Sequence, residues 1–182
     1  MVARDTSRHP LLMVYTGNGK GKTSAALGLL LRCWGHGGHC AVAQFIKSSD
    51  LVTGERLAAQ KLGVIWEQYG AGFTWNSANE SENRRQVLLG WEQVKQWILS
   101  NQFDLIILDE FTYPLSLGYL DVQDTVAWLR GQLDNHTVSH IVITGRDAPD
   151  ILMNSADLVS DVVEVKHHWK SSKIGAQQMV EY

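Results

Sequence analysis

The chain has 182 residues, enough for one domain with a full core. Hydrophobic residues make up 45% and charged residues 19%, as in an ordinary globular protein, and the net charge is −3. That balance lacks the basic surplus of a nucleic-acid binder. No stretch approaches the roughly 18 consecutive apolar residues of a membrane span. The N-terminus, MVARDTSRHP, lacks the apolar core of a secretory signal. Cys33 and Cys40 form no CxxC pair and read as two buried thiols in a reducing compartment. A cytoplasmic protein with no nucleic-acid or membrane partner is expected.

Residues 1–10 read as a flexible N-terminal tail and residues 11–182 as a single domain. Leu11–Thr16, LLMVYT, is a short β-prone run that stops at glycines, so it reads as a buried strand. From Lys22 the pattern turns helical, with Ala25, Ala26, Leu29, Leu30 and Cys33 on one face. Leu27, Leu31 and Trp34 make this helix apolar on most sides, which predicts a central position. Cys40–Ile46 is a second strand, Glu55–Leu62 a short helix opened by Glu55 and Arg56 as an ion pair, and Val64–Tyr69 a third strand. A loop over Gly70–Ser81 precedes a long helix, Glu82–Leu99, whose apolar stripe is Val87, Leu88, Trp91, Val94 and Ile98. Phe103–Glu110 is a fourth strand. Its apolar residues run without alternation, the mark of a strand covered on both faces in a parallel sheet. A helix over Val122–Leu133, a strand over His140–Gly145, a short helix over Asp147–Asn154 and a strand over Leu158–Val165 follow. Strands alternate with helices throughout, which predicts a doubly wound α/β fold with a mostly parallel sheet of about six strands flanked by helices.

Thr16–Thr23, TGNGKGKT, lies between the first predicted strand and helix, the setting of a phosphate-binding P-loop. Gly17, Asn18, Gly19, Lys20 and Gly21 form the turn, whose backbone N–H groups can point at phosphate oxygens. The helix N-terminus, with Lys22, Thr23 and Ser24, adds partial positive charge. Lys22 is placed to reach phosphates, and the Thr23 hydroxyl suits Mg²⁺, which takes hard oxygen ligands. The usual spacing, G-x-x-x-x-G-K-[ST], has glycine where this chain has Thr16.

Leu105–Glu110, LIILDE, has the form of a Walker B strand, with Asp109 and Glu110 at its carboxyl end. Ligands of open parallel sheets sit beyond the strand carboxyl ends, so both motifs can face one site. Asp109 or Glu110 is placed to bind Mg²⁺, directly or through water. Thr144, Gly145 and Arg146 close the fifth strand beside it. His36 and His39 flank glycines without a third ligand at metal spacing and read as loop residues. Trp34, Trp91, Trp97 and Trp128 fall on helices and read as core.

Further segments carry a resemblance. They are TGNGKGKTSAALG (Thr16–Gly28), QFIK (Gln44–Lys47), GER (Gly54–Arg56), GFTW (Gly72–Trp75), LDEFTYPLSLGYL (Leu108–Leu120), VITGRDAP (Val142–Pro149), ADLVSDVVEVKH (Ala156–His167) and a tail that begins GAQ and ends EY. In this order, over nearly the whole chain, they resemble the P-loop ATP:corrinoid adenosyltransferases of cobalamin biosynthesis. The resemblance implies a RecA-like fold, a homodimer, and transfer of the adenosyl group of ATP to Co(I) of a corrinoid of the cobalamin or cobinamide type, with triphosphate leaving. It implies an electron-donating reductase or flavoprotein as partner. It implies ATP lying in the loop in reverse, with Lys22 and Glu110 in the reaction. Phe73 and Trp75 match the aromatic pair that displaces the lower axial ligand of the corrinoid. Arg146, Lys166 and His167 match positions near the ligands. The chain departs from the pattern after His167, where it reads HWKSSKIG, and before the fifth strand, where DNHTVSH lacks an expected proline. The residues alone also admit a P-loop ATPase or kinase that transfers the γ-phosphoryl group, or a carrier that binds without reaction.

Overall fold

The structure, a computed structural model, describes residues 9–47, 52–70 and 80–180. Its six strands are β1 (Leu11–Thr16), β2 (Cys40–Phe45), β3 (Ile65–Tyr69), β4 (Leu105–Asp109), β5 (His140–Thr144) and β6 (Leu158–Asp161). Its helices are α1 (Lys22–Gly35), α2 (Gly54–Lys61), α3 (Glu80–Leu99), α4 (Thr112–Ser116), α5 (Val122–Asp134), α6 (Asp150–Ser155) and α7 (His168–Ser172). The strand order is β3-β2-β4-β5-β1-β6, and every pairing is parallel. The expected α/β class and parallel sheet are both present.

Period-two alternation divides the strands between two cores. Leu12, Val14, Ala41, Ala43, Ile106, Leu108, Ile141 and Ile143 pack on one face with Val87, Trp91 and Val94 of α3 and Val126, Leu129 and Leu133 of α5. Met13, Cys40, Val42, Leu105, Ile107 and Val142 pack on the other with Ala26 and Leu30 of α1 and Ala59 of α2. Both cysteines are free thiols; Cys40 is buried and Cys33 half-buried. Gly90 of α3 lies against the Tyr69 ring, where an added Cβ would come within 2.5 Å. Helix and sheet approach closely there because no side chain intervenes.

Some expectations change. Leu31 and Trp34 are 55% and 43% exposed, so α1 is not apolar-buried all round. The Trp34 indole N–H instead donates to the Leu62 carbonyl at 3.0 Å, over the C-terminal end of α2. Leu88 is exposed, and Trp97 takes its place on the buried stripe of α3. α6 begins only at Asp150, after Pro149 at its N-cap. β6 ends at Asp161 and not at Val165, because the chain then crosses the loop after β1. Arg56 of α2 bonds to Gln68 of β3. α4 and α7 carry no periodic apolar signal and were not foreseen.

Asp157 anchors β6 to β1. Its N–H donates to the Leu12 carbonyl at 2.8 Å, and its carboxylate accepts from Leu12 N–H at 2.7 Å and from Arg130 Nη1 of α5 at 2.8 Å. Burial opposes ionisation, but the two donors outweigh it and hold this carboxyl below its ordinary value. A depressed folded-state pKa contributes stability that is complete above the unfolded value and disappears as pH falls through the folded one. Asp157→Ala should therefore cost about 1–3 kcal/mol in urea unfolding at pH 7. The gap to wild type should close below about pH 4. A gap that does not change with pH would contradict this assignment.

Candidate active site

The carboxyl ends of β1, β2, β4 and β5 converge on one polar cluster. β1 runs into a turn with Gly17 at φ 95° and Gly21 at φ 109°, and Gly21 caps α1. Gly17 has no room for a side chain: a Cβ would strike the Asp161 carboxylate and the Val162 backbone. Thr16, standing where the usual motif has glycine, is buried, and its Oγ1 accepts the Ala148 N–H at 3.2 Å. The threonine thus ties the loop to the segment after β5.

Lys22 folds back into the turn. Its Nζ donates to the Gly17 and Gly19 carbonyls, both at 2.7 Å. Burial lowers its pKa, against the pull of Glu110 and Asp109. The Gly19 N–H donates to the Val162 carbonyl at 2.6 Å, so that amide is engaged by the chain itself. Lys20 and Asn18 are exposed, as is Ser24 in the first turn of α1.

Asp109 is the hub. It is fully buried, and three hydrogen-bond donors and one ion-pair partner meet its two oxygens. Thr23 Oγ1 donates to Oδ1 at 2.8 Å and Thr144 Oγ1 to the same atom at 2.7 Å. Gln44 Nε2 donates to Oδ2 at 2.7 Å, and Lys47 Nζ lies 3.8 Å from that oxygen. Such donors offset the cost of burying a carboxylate. Glu110, at φ 57°, turns out of the strand and donates its N–H to Thr144 Oγ1 at 3.0 Å. Burial raises its carboxyl above the ordinary range and Asp109 adds to the rise, while Lys47, Lys22 and Arg146 pull it back.

Of the three candidate metal residues, Thr23, Asp109 and Glu110, this geometry separates the first two. Thr23 gives its proton to Asp109 and keeps oxygen lone pairs for a hard cation. Asp109, with both oxygens accepting hydrogen bonds, lies behind Thr23. Among the described residues no group of three or more His, Cys, Asp or Glu is placed to hold a metal. A small hard cation would therefore draw its other ligands from phosphate and water, as Mg²⁺ commonly does. The donor set fits that ion.

On the other side of the loop lies a cleft of about 850 Å³, reached by Thr16, Gly17, Asn18, Arg146, His167 and Trp169. A smaller pocket of about 350 Å³ joins Lys20 to Lys166 and His167. His167 Nδ1 accepts the Trp169 N–H at 3.1 Å and caps α7, and its ring stacks on His168 with centroids 4.6 Å apart. The structure thus groups Gly17, Asn18, Lys20, Arg146, Lys166 and His167 around the loop. It places Thr23, Asp109 and Glu110 at the strand ends. Phe73 and Trp75 lie outside the described residues. Gln44 and Arg56 lie in the motifs QFIK and GER, with Arg56 expected as part of an ion-paired helix start, and Gln68 carried no expectation. The glutamine in the otherwise apolar run CAVAQF, wholly buried in the structure, was a further signal.

Residues 8–182 match the family described as ATP:corrinoid adenosyltransferase BtuR/CobO/CobP. The chain belongs to that family. A corrinoid adenosyltransferase of Sinorhizobium sp is 37% identical over 185 residues, spanning 100% of this chain and 85% of the relative. Corrinoid adenosyltransferase CobA of Salmonella typhimurium is 33% identical, and the corrinoid adenosyltransferase of Escherichia coli K12 is 34% identical. Each match spans 100% of this chain and 90% of the relative. Family membership accounts for the motifs at the strand ends, and no described helix is long and apolar enough to cross a membrane.

The packing of the loop against the C-terminal segment has a direct consequence. Gly17→Ala should destabilise the fold by roughly 1–3 kcal/mol, the cost of a strained backbone position and a blocked approach. It should also expose residues 162–170 to limited proteolysis. A melting temperature and cleavage pattern equal to wild type would contradict this packing.

Proposed function

We propose that the protein transfers the 5′-deoxyadenosyl group of ATP to Co(I) of a corrinoid of the cobalamin or cobinamide type, with release of inorganic triphosphate. Co(I) attacks C5′ of the ribose. The cobalt–carbon bond forms, the C5′–O bond breaks, and its electron pair leaves on triphosphate. The observation that carries this reading is the Thr23–Asp109–Lys22 cluster at the strand ends of a chain that matches the adenosyltransferase family along nearly its whole length.

The protein's part is position and charge. Lys22 leaves the Gly17 and Gly19 carbonyls for phosphate oxygens when nucleotide arrives. Together with the amides of Asn18, Lys20 and Gly21 and the start of α1, including Ser24, it stabilises charge that grows on the leaving group. Thr23 would hold Mg²⁺, with Asp109 orienting its hydroxyl and Glu110 nearby. When bound, the ion would neutralise part of the triphosphate charge. No proton is removed from Co(I), so the site needs no general base. That agrees with a carboxylate hub whose lone pairs are already committed to donors. The nucleotide lies in reverse of the usual sense, with the triphosphate in the loop and C5′ toward the corrinoid. Arg146, Lys166 and His167, with Lys20, border the remainder of the nucleotide. Phe73 and Trp75 act beneath the corrin ring, a role supported by the sequence motif GFTW. A reductase or flavoprotein supplies the electron to cobalt. The enzyme works as a homodimer in the cytoplasm.

Product analysis tests the reading. Anaerobic incubation with ATP, Mg²⁺ and chemically reduced cobinamide or cobalamin should yield a light-sensitive alkylcorrinoid and stoichiometric triphosphate. Lys22→Ala should lower the rate by about 10²–10³-fold. ADP and phosphate as products, or ATP cleavage without corrinoid, would favour γ-phosphoryl transfer instead.

A further inference from the structure

A row of polar side chains crosses the sheet to Asp109 and ends on α2, which carries none of the residues given a part in the reaction above. Gln44 of β2 is the register partner of both Asp109 in β4 and Gln68 in β3. By alternation all three lie on the face that packs against α1 and α2, one row above Val42 and Ile107. The bonds run in one direction. Arg56 Nη1, in the first turn of α2, donates to Gln68 Oε1 at 2.6 Å. Gln68 Nε2 donates to Gln44 Oε1 at 2.8 Å. Gln44 Nε2 donates to Asp109 Oδ2 at 2.7 Å, and Asp109 Oδ1 receives Thr23 Oγ1 at 2.8 Å.

The direction is dictated by the ends. A guanidinium only donates and a carboxylate only accepts. Both amides must therefore point oxygen toward Arg56 and nitrogen toward Asp109. The row is an ion pair drawn out through two aligned amide dipoles, across a buried stretch where Gln44 is 1% exposed. Such aligned bonds reinforce one another. Reversal of either amide would set donor against donor or acceptor against acceptor.

We propose that Arg56, Gln68 and Gln44 are positioning residues for the reaction, a relay that fixes the Asp109 carboxylate so that Thr23 offers its oxygen lone pairs to the cation of the ATP complex. This rests on the functional reading above. Without the relay Asp109 loses a donor on Oδ2 and can rotate, and the Thr23 hydroxyl loses its fixed direction. The loop itself, held by Gly17, Gly19 and Thr16, stays as it is. The relay thus bears on the cation and leaves metal-free nucleotide largely untouched.

Calorimetric titration with ATP, once with Mg²⁺ and once with excess EDTA, reads this difference without turnover. Gln44→Leu should weaken binding by about 10–100-fold in Mg²⁺, the usual effect of losing a group behind a metal ligand. Gln68→Glu, which keeps the bond to Arg56 and removes the donor to Gln44, and Arg56→Gln should show smaller losses, about three- to tenfold, declining with distance from Asp109. In EDTA all three should stay within about twofold of wild type, and Arg56→Lys should restore most of the Mg²⁺-dependent affinity. Gln68 and Arg56 are half-exposed, so their variants carry the test if Gln44→Leu fails to fold. Equal losses with and without Mg²⁺, or none in either, would overturn the relay while wild type still binds ATP more tightly in Mg²⁺. A wild-type protein that binds no ATP in either buffer would overturn the functional reading and the relay with it.

Discussion

A single buried carboxylate organises this molecule. Asp109 has no solvent contact, and Thr23, Thr144, Gln44 and Lys47 surround its carboxylate. Those partners come from α1, β5, β2 and the residues just after β2. Burying a carboxylate without partners costs several kcal/mol, so the donors that satisfy Asp109 also hold the surrounding chain segments in register. The site and the fold are coupled through that one group.

The glycine turn meets a second constraint, close packing against the end of the chain. β6 and the residues after it lie on the loop so tightly that only glycine fits at position 17. The Val162 N–H donates to the Thr16 carbonyl at 2.8 Å, and the Val162 carbonyl receives the Gly19 N–H. Thr16 adds a hydroxyl bond to the Ala148 backbone. A glycine at position 16 has no side chain to make that bond. The altered spacing of the motif is therefore a structural feature of the loop, fastening it to the β5 side of the sheet.

Much of this was legible in sequence because it is local. The run of glycines and lysines between a β-prone segment and a helical one, and the carboxylates after four apolar residues, each lie within a few positions of each other. Strand positions followed from apolar runs, and the parallel sheet from their lack of alternation. The relay was illegible because its members come from four elements and meet only through strand register. Gln44 and Asp109 are 65 residues apart. The role of Thr16 was hidden likewise, since its partner is 132 residues away. Trp34 misled because a tryptophan counts as apolar in a periodicity. Its ring nitrogen here serves an exposed contact on the Leu62 carbonyl.

Adenosyl transfer and phosphoryl transfer differ in which end of the nucleotide meets the acceptor. A crystal structure of the protein with Mg²⁺, a non-transferable ATP analogue and a four-coordinate corrinoid would decide it. Triphosphate oxygens within hydrogen-bond reach of Lys22 and the Gly17–Gly21 turn, with C5′ facing cobalt at about 3–3.5 Å, is the predicted result. A γ-phosphorus turned toward the corrinoid, with the ribose pointing away, would contradict it.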